Sequence, residues 1–151
     1  MPPALYRLQP ATGDLEIVAD DFEEPNGLAF SPDERLLYVA ESGHPLGRNP
    51  RQYIRRFIVR EDGRLSGGEC FHKITPGFAD GLRVDSQGNV WSSAADGVHC
   101  LSPEGELLGK IRAPSVVSNL AFGGRNRSRL FLCASHTLMA IYTNVRGCVR
   151  P

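Results

Sequence analysis

The sequence lacks the features that mark membrane proteins and nucleic-acid-binding proteins. No apolar run reaches the roughly 20 residues of a membrane span, and the first residues contain no signal-peptide hydrophobic region. The 17 Lys and Arg residues are balanced by 17 Asp and Glu residues, whereas nucleic-acid binding needs a basic stripe with stacking aromatics. We therefore expect a soluble, cytoplasmic protein with no membrane partner and no nucleic-acid partner.

The sequence also lacks several motifs of catalytic and metal sites. The four cysteines form no Cys-x-x-Cys pair, and no histidine stands at zinc-ligand spacing. There is no Gly-x-Ser-x-Gly elbow, no phosphate-binding glycine loop and no His-Glu-x-x-His motif. These absences argue against the commoner hydrolase mechanisms and predict cysteines that are reduced thiols.

What the sequence contains is a series of short segments in which apolar and polar residues alternate, separated by turns rich in Gly, Pro, Asp and Ser. No segment shows a sustained helical period with caps, so we expect almost no helix. The predicted fold is all-β: a β-propeller of four-stranded antiparallel blades, in a single partial domain over residues 1–151. The predicted units are a blade fragment at 4–22, blades at 25–75 and 79–113, and a last blade at 117–144. This is a little over three blades. The smallest closed propeller ring has about four.

A short signature occurs three times and opens one strand in each of the last three units. Its copies share an Asn or Asp at the entrance of an apolar strand. These residues are Asn26, Asp80 and Asn119. Without the Gly- and Pro-bearing stretch between Ser42 and Arg51, the copies recur near the roughly 40 to 45 residues of a propeller blade.

Equivalent positions of successive blades are related by rotation about one axis, so residues that open the innermost strands point into a shared channel. The amide oxygen of Asn26 and the carboxylate of Asp80 suit a hard cation such as Ca²⁺, Mg²⁺ or Mn²⁺, and would also accept Zn²⁺. The glycine after each residue leaves room for a close backbone approach. The alternative is structural, because Asn-Gly and Asp-Gly are also strong turn dipeptides.

Longer stretches give the chain a resemblance to a known family. The stretches that carry it are residues 5–8, 25–34, 80–91 and 119–124. In these the chain resembles the C-terminal half of a gluconolactonase of the SMP-30/gluconolactonase/LRE-like family. The resemblance implies a six-bladed propeller of which this chain supplies the later blades.

The resemblance also implies a reaction, which is the metal-dependent hydrolysis of a sugar lactone. Asn26 and Asp80 match two ligands of the family's single divalent metal, most simply Ca²⁺, and Asp80 would also act as general base. The family's Glu ligand and its substrate-side Asn and Arg have no counterpart in this chain. We therefore expect weak metal affinity and impaired activity, or alternatively a non-catalytic binding or scaffold module or an inactive fragment. We also expect self-association, because an open arc of blades exposes an apolar flank and an unpaired edge.

Other residues receive secondary roles. His44 lies in a long loop where a propeller would place substrate contacts, and Asn119 either lines the channel beside the substrate or orders its own turn. Trp91 is predicted to lie in the core of its blade. Three acidic residues in the inter-strand turns are expected to be solvated turn formers: Asp33, Asp85 and Glu104.

Overall fold

The computed structural model describes residues 2–43 and 51–148, and His44 therefore lies outside the described residues. Thirteen β-strands form four antiparallel sheets, and no helix occurs in these two ranges. The all-β prediction is confirmed. No helix in the described residues has the length and apolar character needed to span a bilayer.

The strands follow one another in chain order within each sheet. The first sheet holds β1 (Leu5–Leu8) and β2 (Leu15–Ala19). The second sheet holds β3 (Pro25–Phe30), β4 (Leu36–Glu41), β5 (Tyr53–Val59) and β6 (Leu65–His72). The third holds β7 (Leu82–Val84), β8 (Val90–Ala94), β9 (Gly97–Leu101) and β10 (Leu107–Arg112), and the fourth holds β11 (Val117–Gly123), β12 (Arg129–Ala134) and β13 (Thr137–Tyr142).

The first strands of the last three sheets lie side by side. The backbone N–H of Gly27 donates to the carbonyl of Asp80 at 2.9 Å, and the N–H of Gly81 donates to the carbonyl of Ser118 at 3.0 Å. Since these residues stand at the entrances of β3, β7 and β11, the hydrogen bonds bring the three signature copies next to one another. This is the blade arrangement that the repeat predicted.

Each hydrophobic core lies between two neighbouring sheets. One joins the second and third sheets through residues such as Tyr38, Ile54, Leu82 and Leu101. Another joins the third and fourth sheets, where Trp91 packs edge-on against Phe122 with ring centroids 5.7 Å apart. The third core lies between the first and second sheets and contains Leu5, Phe22, Leu37, Val39 and Phe57. Because adjacent blades share their apolar surface, each one depends on its neighbour for burial.

The turn between β7 and β8 corrects one prediction. Asp85 is fully buried, so the expectation that it is a solvated turn former is wrong. Its carboxylate accepts hydrogen bonds from the backbone N–H groups of Gln87 and Asn89, from the Asn89 side-chain amide, and from the Trp91 indole at 2.9 Å. The turn folds back against its own blade, and these donors replace water around the carboxylate. Trp91 is in the core as predicted.

The two end sheets have fewer strands than the two middle sheets. The first has two strands and the last has three, and an isolated bridge pairs Asp85 with Gly147. An apolar groove of about 430 Å³ lies beside β1, with Leu5, Leu28, Phe30 and Leu65 among its lining residues. Large apolar side chains are exposed on both end sheets: Leu8, Leu15 and Ile17 on the first, and Leu138, Ile141 and Tyr142 on the last.

Candidate metal and catalytic site

Asn26 and Asp80 lie together at the inner ends of two adjacent blades. Asn26 is the second residue of β3, and Asp80 precedes β7 by two residues. Their strands are joined by the hydrogen bond from the Gly27 N–H to the Asp80 carbonyl. The Asn26 side chain stands close enough to the Asp80 carboxyl to lower its pKa. The two residues that the sequence placed first as ligands therefore lie side by side.

The glycine after each residue allows this approach. A Cβ added at Gly27 would lie 2.2 Å from the Asp80 carbonyl oxygen, and one at Gly81 would lie 2.4 Å from Asn119 Oδ1. Both distances are shorter than any real Cβ contact, so a side chain at either position would separate the blades. Neither glycine has a positive φ. The glycines therefore serve close backbone approach, as predicted, rather than a left-handed turn.

Burial raises the pKa of the Asp80 carboxyl, and the hydrogen bond from Asn26 lowers it in part. The side chain is half-buried. Among the described residues, no lysine, arginine or histidine pairs with this carboxylate. A partly desolvated carboxylate without a cationic partner is stabilised by a bound cation.

Two buried serines form hydrogen bonds with the residues of the candidate site. Ser42 follows β4, and its hydroxyl accepts from Asn26 Nδ2 at 3.3 Å and donates to the Ala79 carbonyl at 3.0 Å. Ser93 lies in β8, and its hydroxyl accepts from the backbone N–H groups of Asp80 at 3.2 Å and Gly81 at 3.0 Å. Each serine comes from the end of the second strand of its blade, and together they fix the entrances of β3 and β7.

A buried carboxylate anchors the segment that leads to Asn26. Glu41 is fully buried at the end of β4, and it accepts from the backbone N–H groups of Glu23 at 3.1 Å and Glu24 at 2.7 Å. Sequence reasoning missed Glu41, Ser42 and Ser93. The signal that could have found them is a polar residue at the end of an otherwise apolar strand. Such a residue is buried only where the fold supplies hydrogen-bond partners for it.

The third signature copy differs from the other two. Asn119 is exposed, and its Oδ1 accepts a hydrogen bond from the backbone N–H of Leu120 at 2.8 Å. It also borders Gly81, so it stands next to the Asp80 strand. The structure thus places Asn119 beside the site, with its oxygen bound to its own strand. Its predicted substrate contact stays a prediction, and so does that of His44.

The donor set fits a hard cation only in part. Asn26 and Asp80 supply an amide and a carboxylate oxygen, which are ligands that Ca²⁺, Mg²⁺ and Mn²⁺ prefer. The described ranges contain no group of three or more His, Cys, Asp or Glu residues that could hold a metal ion. Water or residues beyond this described set would have to complete the coordination sphere.

Comparison with known proteins gives consistent matches. The chain is 33% identical to the gluconolactonase of Zymomonas mobilis over 153 residues, a match that covers 95% of this chain and 41% of that protein. A solved gluconolactonase structure from Xanthomonas campestris is 36% identical with a TM-score of 0.81, and the match covers 92% of this chain and 44% of the other. Regucalcin of Agrobacterium tumefaciens, described as a calcium-binding protein, shares the fold with a TM-score of 0.74 at 19% identity, over 97% of this chain and 54% of that one.

These matches establish both the fold relationship and its extent. The chain spans about two fifths to half of the length of the relatives named above. Their propeller fold confirms the prediction of a partial β-propeller. The family model described as the SMP-30/Gluconolactonase/LRE-like region matches residues 1–136. On this evidence the chain belongs to the SMP-30/gluconolactonase/LRE-like family.

Proposed function

We propose that this chain carries part of the active site of a metal-dependent lactonase that hydrolyses a sugar lactone. The observation that carries the proposal is that Asn26 and Asp80 lie side by side at the inner ends of adjacent blades, where the Gly27 N–H donates to the Asp80 carbonyl at 2.9 Å. The lactone-hydrolase names of several relatives support the reaction class.

Asn26 Oδ1 and the Asp80 carboxylate would hold one divalent ion, for which Ca²⁺ is our first choice, with Zn²⁺, Mn²⁺ or Mg²⁺ as alternatives. Such an ion supplies Lewis-acid polarisation of the lactone carbonyl. Asp80 has a second role as general base, in which a carboxylate oxygen accepts a proton from the attacking water. Its half-buried position suits this role, because burial brings a carboxyl pKa closer to neutral pH.

A second candidate function is a binding or scaffold module without catalysis. The observation that favours it is the small donor set, since only two oxygen ligands come together in the described part of the chain. The two candidates differ in what they require of Asp80. Catalysis needs its carboxylate, whereas a scaffold needs only its backbone contact with Gly27.

Thermal stability in the presence of metal tests the site. Adding millimolar Ca²⁺ or Mn²⁺ should raise the melting temperature of the chain, because a ligand that binds only the native state stabilises it. The shift should disappear in Asp80→Asn and Asn26→Ala, and persist in the control Asp14→Asn, which changes an exposed turn residue. No shift with any of the four metals would contradict the proposed metal site.

Lactone hydrolysis tests the reaction. We expect activity on an aldonolactone to be low in this chain, since two ligands bind a cation weakly, and lower still in Asp80→Asn. A submicromolar metal dissociation constant in calorimetry would contradict the expectation of weak binding. Metal binding without any lactone hydrolysis would favour the scaffold function.

A further inference from the structure

Ser42 joins the two halves of the candidate site through a single oxygen atom. Its hydroxyl is 3.3 Å from Asn26 Nδ2 in one blade and 3.0 Å from the Ala79 carbonyl, which directly precedes Asp80, in the next. Its backbone N–H donates to the Glu24 carbonyl at 3.0 Å, and the residue is only 4% exposed. The hydroxyl is therefore fixed on both sides.

The single proton of this hydroxyl determines whether it donates a hydrogen bond to Asn26 or accepts one from it. A serine hydroxyl has one proton and two lone pairs. The proton is used on the Ala79 carbonyl, because a carbonyl can only accept. The hydroxyl therefore presents a lone pair to Asn26, and it binds the NH₂ end of the amide and not the oxygen end.

The Asp80 carboxylate acts in the same direction. An ionised carboxylate only accepts hydrogen bonds, so the Asn26 side chain, which lowers the pKa of Asp80, stabilises the carboxylate best with its NH₂ end turned toward it. Ser42 Oγ, at 3.3 Å, and the neighbouring Asp80 carboxylate are thus both acceptors that favour the same orientation of the amide. Among the described residues, none donates a hydrogen bond to Asn26 Oδ1. The amide oxygen remains available to a ligand.

We propose that Ser42 is a positioning residue that fixes the orientation of the Asn26 amide, with its nitrogen turned inward and its oxygen left for a cation. This inference rests on the proposed function, in which Asn26 Oδ1 is a metal ligand. Without Ser42, one Nδ2 proton loses its partner and the amide can rotate, so that the nitrogen faces the cation for part of the time. Residues that orient a ligand in this way typically affect metal affinity by about 10-fold or more.

The test compares Ser42→Ala, which removes the hydroxyl, with Ser42→Thr, which retains it. Ser102→Ala is the matched control, because Ser102 is also buried and its hydroxyl also binds backbone groups, in the turn between β9 and β10. If Ser42→Ala does not fold in a thermal melt, Ser42→Cys replaces it, since a thiol keeps the volume but accepts hydrogen bonds weakly.

The first measurement needs no metal. In ¹⁵N NMR of the metal-free chain, Ser42→Ala should accelerate water exchange of the Asn26 side-chain amide protons by about fivefold, the effect of one lost hydrogen bond. Ser42→Thr and Ser102→Ala should leave this exchange within about twofold of the wild type. Unchanged exchange in Ser42→Ala would overturn the inference.

The second measurement follows the broadening of NMR signals near Asn26 and Asp80 during a Mn²⁺ titration. The Mn²⁺ dissociation constant should rise about 10-fold in Ser42→Ala and stay near the wild-type value in Ser42→Thr and Ser102→Ala. Equal binding by wild type and Ser42→Ala would overturn the role of Ser42 while the proposed metal site stands. If the wild type shows no broadening at these residues but Ser42→Ala still accelerates amide exchange, the proposed metal site fails and the amide orientation stands.

Discussion

At the residue scale, the distance between the two ligand-bearing strands depends on glycine. The absence of a side chain at Gly27 lets β3 reach the Asp80 carbonyl, and Gly81 gives the same access to the backbone of Asn119. The Asn-Gly and Asp-Gly pairs therefore combine an oxygen donor with the contact that brings it to the next blade. A donor followed by a larger residue would stand too far from its neighbour to share a cation.

Gly27→Ala should destabilise the chain by about 2 kcal/mol, because its Cβ would overlap the Asp80 carbonyl and force the blades apart. Gly109→Ala is the control, since a Cβ at Gly109 meets nothing within 4 Å and its φ is not positive. We expect the control to change stability by less than about 0.5 kcal/mol. Urea denaturation measures both variants, and equal effects would contradict this role of Gly27.

The raised pKa of Asp80 predicts a pH dependence of stability in the metal-free protein. A carboxyl whose pKa is raised by folding binds its proton more tightly in the native state. Its contribution is therefore fully present below the ordinary Asp pKa of about 3.9, and it is lost as the pH rises through the higher folded-state value.

Asp80→Asn removes this titration, so the variant should be more stable than the wild type at neutral pH and lose that advantage in acid. Denaturant melts between pH 3 and pH 8 give the difference in free energy of unfolding. Asp14→Asn, in an exposed turn, provides the control. A wild type that is more stable than Asp80→Asn at pH 7 without metal would show that the carboxylate is not penalised by its surroundings.

At the scale of single elements, the turn between β7 and β8 is a stabilising unit of its own. Asp85→Ala leaves the donors of Gln87, Asn89 and Trp91 without their acceptor and should cost about 3 kcal/mol. The emission of Trp91 should change at the same time, because its indole N–H loses its partner.

Asp33→Ala is the matched control for this turn. Asp33 occupies the turn between β3 and β4, and its side chain is 60% exposed. Its loss should cost much less than the loss of Asp85, because water replaces the lost hydrogen bonds. Similar losses for Asp33→Ala and Asp85→Ala would show that burial at the second turn contributes little.

The same two turns show how far sequence reasoning reaches. Alternating apolar residues predicted the strands, and the turn residues between them predicted the connections. Asp85 directly follows β7, as the buried Ser31 directly follows β3, whereas the exposed Asp33 stands two positions further into its turn. The sequence alone did not show that the first position of each turn is the buried one. Asn26 and Asp80 stood out because their motifs repeat. Ser42 and Ser93 did not, since each meets its partner through strand pairing more than ten residues away along the chain.

At the scale of the whole molecule, the two end sheets expose large apolar side chains. The edge strand β13 exposes Leu138 by 70% and Tyr142 by 75%, and it contains no charged residue that would discourage pairing with another chain. We propose that this edge and the groove beside β1 drive association at micromolar concentrations.

Sedimentation velocity tests the proposal. The wild type should show a mass that increases with concentration, and the double variant Leu138→Glu, Tyr142→Glu should move toward the monomer because it places charges on the edge strand. Val116→Glu is the control, since Val116 is also an exposed apolar residue but lies outside the strands. A monomeric wild type across the micromolar range would rule out this association.

The placement of each hydrophobic core between two sheets has a consequence for how the molecule opens. Stability in such an arc is a sum of nearest-neighbour terms, as in other repeat proteins, so the end sheets can detach one at a time while the middle stays folded. Asn26 and Asp80 flank the core between the second and third sheets, which has a neighbour on either side. The two candidate ligands therefore lie where the second and third sheets pack together. In a hydrogen-exchange experiment we expect the backbone amides of these two sheets to exchange last, and local unfolding of the end sheets leaves the distance between the two ligands unchanged.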